Sequence, residues 1–248
     1  QIGGPGWNLG GGFVSPYRLW LGTDNGLYYS EDAGQFWNKA TGLVPGVGVS
    51  VDLDDPNSLW TTGVLPGNYR GVIRSTNGGS SWEAAGLGIN DFGSAGYNLL
   101  IHPDAHNMLF AIVWGRRGVI HLYRGQSPGL WSDIAPPITG NPFPAPPLLG
   151  LALRSQDGSL WAGGVNGALL YTPNPLEMSG AAVVWQPATN FGPNHFAQPL
   201  AWGAGPSLYL TLHRYTGDQS NGYTHAGGAF LRSDDGGQTW LQLTLPSP

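Results

Sequence analysis

Three short stretches of this 248-residue chain share one frame. "SEDAGQFW" (Ser30 to Trp37), "STNGGSSW" (Ser75 to Trp82) and "SDDGGQTW" (Ser233 to Trp240) each place Ser first, Asp or Asn two on, Gly four on and Trp seven on. A catalytic motif is rarely needed three times in one chain, whereas a structural turn in a repeat protein is, so internal periodicity bounds the fold before any local reading. Trp131 and Trp185 fall between the second and third frames, and the steps from Trp37 to Trp240 are 45, 49, 54 and 55 residues. A second ladder runs in register with the first: Trp20, Trp60, Phe110, Trp161 and Tyr209 each follow a Leu at the start of a β-rich run, with steps of 40, 50, 51 and 48. Two ladders in register make five repeats.

Within a repeat the pattern is four short strands separated by turn residues. In the second, "GVSVDLD" alternates, stops at the Asp-Pro-Asn turn, and is followed by "LWTTGV", "RGVIRS" and "WEAAGL". Four-stranded sheets recurring about every 50 residues are the signature of a β-propeller. The expected fold is therefore all-β, a single β-propeller domain over 1–248, with blades at roughly 7–42, 43–86, 87–136, 137–188 and 189–246.

Composition agrees. Gly (41) and Pro (21) are abundant enough to suggest disorder, but 41% hydrophobic residues and 11 Trp supply a packed core. Charged residues are only 10%, net charge is −5, and no basic stripe exists to neutralise phosphates, which excludes nucleic acid as a partner class. The lack of Cys removes disulfides, thiol nucleophiles and Cys-ligated zinc. No apolar run is long enough to span a membrane. A Gly, Ser, Thr, Asn and aromatic surface, and a first residue Gln1 instead of Met, lead us to expect an extracytoplasmic protein trimmed upstream of Gln1.

The chain resembles the Asp-box, or bacterial neuraminidase repeat, family of propellers, which includes sialidases, xyloglucanases, sortilin-type receptors and photosystem assembly factors. Ser233, Asp235, Gly237, Thr239 and Trp240 match the motif fully; Ser30, Asp32, Gly34 and Trp37 match with Phe36 in place of Thr; Ser75, Asn77, Gly79 and Trp82 match with Asn in place of Asp. The third and fourth repeats keep only the Trp. Physically, the Asp or Asn oxygen accepts backbone N–H groups that a tight hairpin leaves without ladder partners. The Gly two on takes positive φ freely, and the Trp buries its face between neighbouring sheets. These residues read as structural staples, with no metal and no cofactor.

The resemblance further implies that the second-to-third-strand and inter-blade loops share the functional face. Here those loops carry Tyr69, Arg70, Asp91, Phe92, Tyr97, Trp114, Arg116, Arg117, Phe143, Asn194, His195, Phe196, His213, Arg214, Tyr215, Asp218, Tyr223 and His225. Aromatics among Asn, Arg and Asp suit sugar or peptide contact; half of them packing the loops on one another is the equal alternative. "HRYTGDQSNGYTHAGG" (residues 213–228) reads as the longest irregular insertion, and long loops in compact domains are usually functional or mobile.

Catalytic readings are thinner. A sialidase-like site would need an arginine triad and a Tyr–Glu pair, and "YRLW" (Tyr17 to Trp20) reads instead as a second strand. Other glycosidases need two carboxylates flanking a cleft, for which Asp91 and Asp218 are the available loop pair. "SVDLDDPNS" (Asp52, Asp54, Asp55) and "HPDAHN" (His102, His106) look like metal clusters, but both occupy the same strand-turn position in consecutive repeats. The expected function is a non-catalytic binding or assembly module contacting protein or carbohydrate through the loop face and the 213–227 loop. The alternative is a carbohydrate-active propeller, lectin or glycoside hydrolase. The uncharged last strand "LQLTL" adds an expectation of a homo-oligomer or a larger assembly.

Overall fold

A computed structural model describes residues 18–23, 26–41, 48–52, 54–86, 89, 96–102, 104–114, 120–126, 131–135, 148–176, 183–203, 205–218 and 222–244. Asp91, Arg116 and Arg117 lie outside the described residues, as do Phe92 and Phe143. The fold is all-β, a five-bladed β-propeller, and among the described residues the only helix is a 3-10 turn at Val165–Gly167.

The chain divides into two compact units, Gln1–Ala135 and Pro136–Pro248. In the first unit, blade one holds β1 (Leu19–Thr23), β2 (Gly26–Ser30) and β3 (Asn38–Lys39). Blade two holds β4 (Val49–Val51), β5 (Leu59–Leu65), β6 (Tyr69–Ser75) and β7 (Glu83–Ala84). Blade three holds β8 (Gly96–His102), β9 (Ala105–Trp114), β10 (Ile120–Gln126) and β11 (Trp131–Asp133). In the second unit, blade four holds β12 (Leu148–Leu153), β13 (Leu160–Gly164), β14 (Ala168–Thr172) and β15 (Gln186–Asn190). Blade five holds β16 (His195–Trp202), β17 (Leu208–Asp218), β18 (Gly222–Ser233) and β19 (Leu241–Leu243). Every sheet is an antiparallel meander in chain order, the pairing that short hairpin connections permit without crossovers.

Within each unit the core lies in layers between consecutive blades. Trp20, Leu27, Val49, Val51 and Leu59 join blades one and two; Trp60, Val72, Leu99, Leu109, Ala111, Val113 and Trp131 join two and three. In the second unit Ala152, Trp161, Leu169, Ala197, Leu208 and Leu210 join four and five. Trp20, Trp60, Phe110 and Trp161 of the second aromatic ladder are all buried, and each large side chain removed from water contributes about 1.5–3 kcal/mol before entropy is counted.

The three Ser–Asx–Gly–Trp turns are built alike. The serine hydroxyl donates to the Asx Oδ1 (Ser30 2.7 Å, Ser75 2.9 Å, Ser233 2.8 Å) and accepts the N–H of the Gly four on (2.8, 2.9 and 2.8 Å). The Asx Oδ1 accepts the N–H of Phe36, Ser81 or Thr239, so Asn77 supplies the same acceptor as Asp32 and Asp235. Those bonds hold the Asp32 carboxyl below the usual range, led by the Phe36 N–H, and lower Asp235 to about 2, led by the Thr239 hydroxyl. Gly34, Gly79 and Gly237 all sit at positive φ (+90°, +85° and +88°). The last two also admit an aromatic ring from the preceding blade: a Cβ on Gly79 would collide with Trp20, and one on Gly237 would stand 3.0 Å from Trp161. The closing tryptophans complete the same seam. Trp82 meets Trp20 edge-on at 6.4 Å, and the Trp131 Nε1–H donates to the Ala85 carbonyl (2.9 Å). Trp240 Nε1–H donates to Thr189 Oγ1 (3.3 Å), whose hydroxyl donates to the Gly237 carbonyl (2.6 Å).

Candidate functional site

The segment expected as an irregular loop is a β-hairpin. β17 and β18 pair from Leu208↔Ser233 out to Asp218↔Gly222, leaving only residues 219–221 beyond the paired rows. Its glycines disguise it in the sequence: Gly217, Gly222, Gly227 and Gly228 read as turn residues, yet three of them occupy ladder positions opposite Tyr223, Asp218 and His213. Strand β16 accompanies the hairpin as far as His195↔Arg214, and beyond that row a further bond runs from the Tyr215 N–H to the Asn194 carbonyl (2.8 Å).

This construction gathers an aromatic cluster on blade five. Phe196 of β16 pairs in register with His213 of β17, and Tyr215 pairs with His225 of β18. Directly opposed residues share a face of a sheet. Accordingly Phe196 and Tyr215 lie 4.3 Å apart by ring centroid, Tyr215 and His225 5.4 Å, and His213 and His225 5.7 Å. His213 and Tyr215 are two apart on β17 and share a face, and a bulge between their rows adds one residue on β18, between His225 and Gly228. His213 is half-buried and His225 exposed. Burial pushes the Tyr215 phenol up; burial, then the neighbouring His225, pushes His213 down, so its imidazole is held toward the neutral form. The row opposite His213 is Gly228, which puts no side chain beside that ring.

The other candidate residues are distributed as follows. Arg214 is exposed and donates to the Ala226 carbonyl (3.2 Å). His195 opens β16 and its Nδ1–H donates to the Pro193 carbonyl (3.0 Å), leaving Nε2 toward the exterior of that bond. Asn194 takes a left-handed conformation (φ 60°) in the turn ahead of it. Asp218 and Tyr223 occupy the last rows of the hairpin. In the first unit, Tyr69 is engaged in its own blade: its hydroxyl donates to the Val72 carbonyl (2.9 Å) and accepts the Gly86 N–H (2.8 Å). Arg70 beside it is exposed on β6, Tyr97 lies in β8, and Trp114 ends β9 in register with Ile120.

One constellation was not legible from the residues taken singly. The two turns "SVDLDDPNS" and "HPDAHN" meet: His106 Nδ1 lies 2.8 Å from Asp52 Oδ1 and Nε2 lies 3.1 Å from Asp54 Oδ2. Both ring nitrogens face carboxylates, so the arrangement favours the doubly protonated imidazolium, which can donate to both. Its pKa is raised, first by the Asp52 hydrogen bond. The neighbouring His102 is buried, accepts the Asp104 N–H at Nδ1 (3.2 Å), and is lowered by burial. The sequence signal was available in the shared repeat position, because turns at one position of consecutive blades are neighbours in a propeller. Among the described residues no group of three or more His, Asp or Glu is arranged to hold a metal ion, and no helix is long and apolar enough to cross a membrane.

No protein-family model matches the chain. It is 29% identical over 242 residues to the oligoxyloglucan-reducing end-specific xyloglucanase of Emericella nidulans, a match covering 85% of this chain and 28% of that protein. It is 25% identical over 182 residues to the probable oligoxyloglucan-reducing end-specific xyloglucanase of Neosartorya fischeri, covering 57% of this chain and 22% of that one. Among solved structures it resembles the GH74 xyloglucanase of Xanthomonas campestris, with a TM-score of 0.58 and 16% identity over 92% of this chain and 36% of that chain. This chain therefore spans about a quarter of the length of the curated relatives it matches, and its likeness to the solved structure is one of fold.

Proposed function

We propose that this chain is an extracytoplasmic, carbohydrate-binding β-propeller module that takes sugar on the aromatic face of blade five. The observation that carries the reading is the Phe196–His213–Tyr215–His225 cluster, a contiguous set of rings beside glycine rows. A sugar ring offers an apolar C–H face bordered by hydroxyls. Tyr and His offer an apolar ring with a polar tip, so stacking and hydrogen bonding come from the same side chains. The low charge of the chain (10%) suits a neutral ligand. The relatives named as xyloglucanases support glycan over protein as the ligand class. The same names favour a second reading, in which this chain is one part of a glycoside hydrolase and Asp91 or Asp218 contributes a carboxylate.

Calorimetric titration with xyloglucan oligosaccharides and other β-glucan fragments tests both. Saturable binding should weaken about tenfold in Tyr215→Ala, equivalent to about 1.4 kcal/mol, with the melting temperature unchanged. Absence of binding to every glycan, or equal binding by Tyr215→Ala and Phe196→Ala, would refute the assignment. Release of reducing ends that Asp91→Asn or Asp218→Asn abolishes would establish the hydrolase instead.

A further inference from the structure

Five of the six histidines have described side chains, and three of those have at least one ring nitrogen engaged. His102 accepts a backbone N–H, His106 is held by two aspartates, and His195 donates to a carbonyl. The other two, His213 and His225, have no hydrogen-bond or ion-pair partner among the described residues, and they are neighbours at 5.7 Å between ring centroids, with planes 58° apart. Imidazole is the commonest protein ligand of transition metals, and two such rings side by side can share an ion.

The spacing can be checked against coordination geometry. A metal–imidazole bond is about 2.0–2.1 Å, and roughly 1.1 Å separates a ring centre from its nitrogen, so each centre would sit about 3.2 Å from a shared ion. Two such rings lie roughly 5.2 Å apart at a tetrahedral angle and roughly 6.4 Å apart when collinear. The observed 5.7 Å falls inside that window. The strands supply the rigidity: the hairpin is paired through Tyr215↔His225 and beyond, and β16 braces the His213 row.

We propose that His213 and His225 form a two-imidazole site for a borderline divalent cation, Zn²⁺, Cu²⁺ or Ni²⁺, open on its remaining coordination positions. The choice of ion follows from the donors, since imidazole suits these metals and neither Ca²⁺ nor Mg²⁺. Tyr215 stands beside the pair, its ring 5.4 Å from that of His225, and water or a ligand hydroxyl takes the remaining positions. The site does not depend on glycan binding, because both rings belong to the hairpin whatever occupies the aromatic face.

The test is titration of the intact chain, free of affinity tags, with Ni²⁺ and Zn²⁺ by calorimetry, and with Cu²⁺ by paramagnetic broadening of the imidazole resonances. One equivalent should bind, with His213 and His225 broadened ahead of His102, His106 and His195. His213→Ala and His225→Ala should each weaken binding at least about tenfold, whereas His195→Ala should leave it unchanged. Cu²⁺ broadening that spares this pair, or metal affinity indifferent to both substitutions, would overturn the proposal. The wild-type broadening pattern decides the matter even if a variant does not fold.

Discussion

Replacing Ser233 by Ala removes a single hydroxyl from the turn at the end of blade five. That hydroxyl is 1% exposed as a residue, donates to Asp235 Oδ1 at 2.8 Å and accepts the N–H of Gly237 at 2.8 Å. Gly237 is itself buried under the Trp161 ring, so water cannot replace the lost acceptor. A buried donor left unsatisfied costs about 1–3 kcal/mol. At roughly 2–4 °C per kcal/mol for a domain of this size, the melting temperature should fall by about 2–12 °C. Ser75→Ala should behave alike, because Ser75 is also 1% exposed and accepts the Gly79 N–H at 2.9 Å. Asp235→Asn keeps the Oδ1 acceptor, as Asn77 does in blade two, and should shift the midpoint less than Ser233→Ala. Differential scanning calorimetry of the three variants decides. A Ser233→Ala melting temperature equal to wild type, or a larger loss in Asp235→Asn, would show that the serine does not carry the turn.

Two pH dependences follow from the same geometry. Asp235 is depressed to about 2 from an ordinary 3.8, so it contributes stability that is present above about pH 4 and lost as pH falls toward 2; urea midpoints across that window should slope less in Asp235→Asn than in wild type. His106 is raised above 6.5, so its contribution is complete below that value and fades as pH rises through the folded pKa; wild type should exceed His106→Gln in melting temperature at pH 5.5, with the gap closing toward pH 9.

The fold was readable because its signals are local and repeated. A turn with Ser, Asx, Gly and Trp at fixed offsets needs only nearest-neighbour chemistry: the serine and Asx oxygens satisfy the turn's own N–H groups, and glycine tolerates φ near +90°. Counting such turns together with the aromatics that recur in register with them yields the blades. The candidate site was less readable. His213, Tyr215 and His225 were named from the residues, but as parts of an irregular loop, because Gly217, Gly222, Gly227 and Gly228 carry no strand signature. Cross-strand pairing holds Gly217, Gly222 and Gly228 in the ladder, while Gly227 stands at the bulge with φ 116°, and register is a pairwise property that neither strand states alone.

The aromatic ladders divide the same way. Period and alternation in the sequence determined that the chain makes β-hairpins at fifty-residue intervals, and that each begins and closes on an aromatic. Only the tertiary structure decided what each ring meets. Trp20 packs over Gly79 and against Trp82 of the next blade, while Trp161 packs over Gly237 and Trp240 bonds back to Thr189. It likewise decided that Asp52 and Asp54 close on His106, which lies in the next blade, 54 residues beyond Asp52. A turn forms from contacts within eight residues, and the sequence contains all of them. A seam between blades forms from two surfaces a repeat apart, whose complementarity exists only once both sheets are twisted into place.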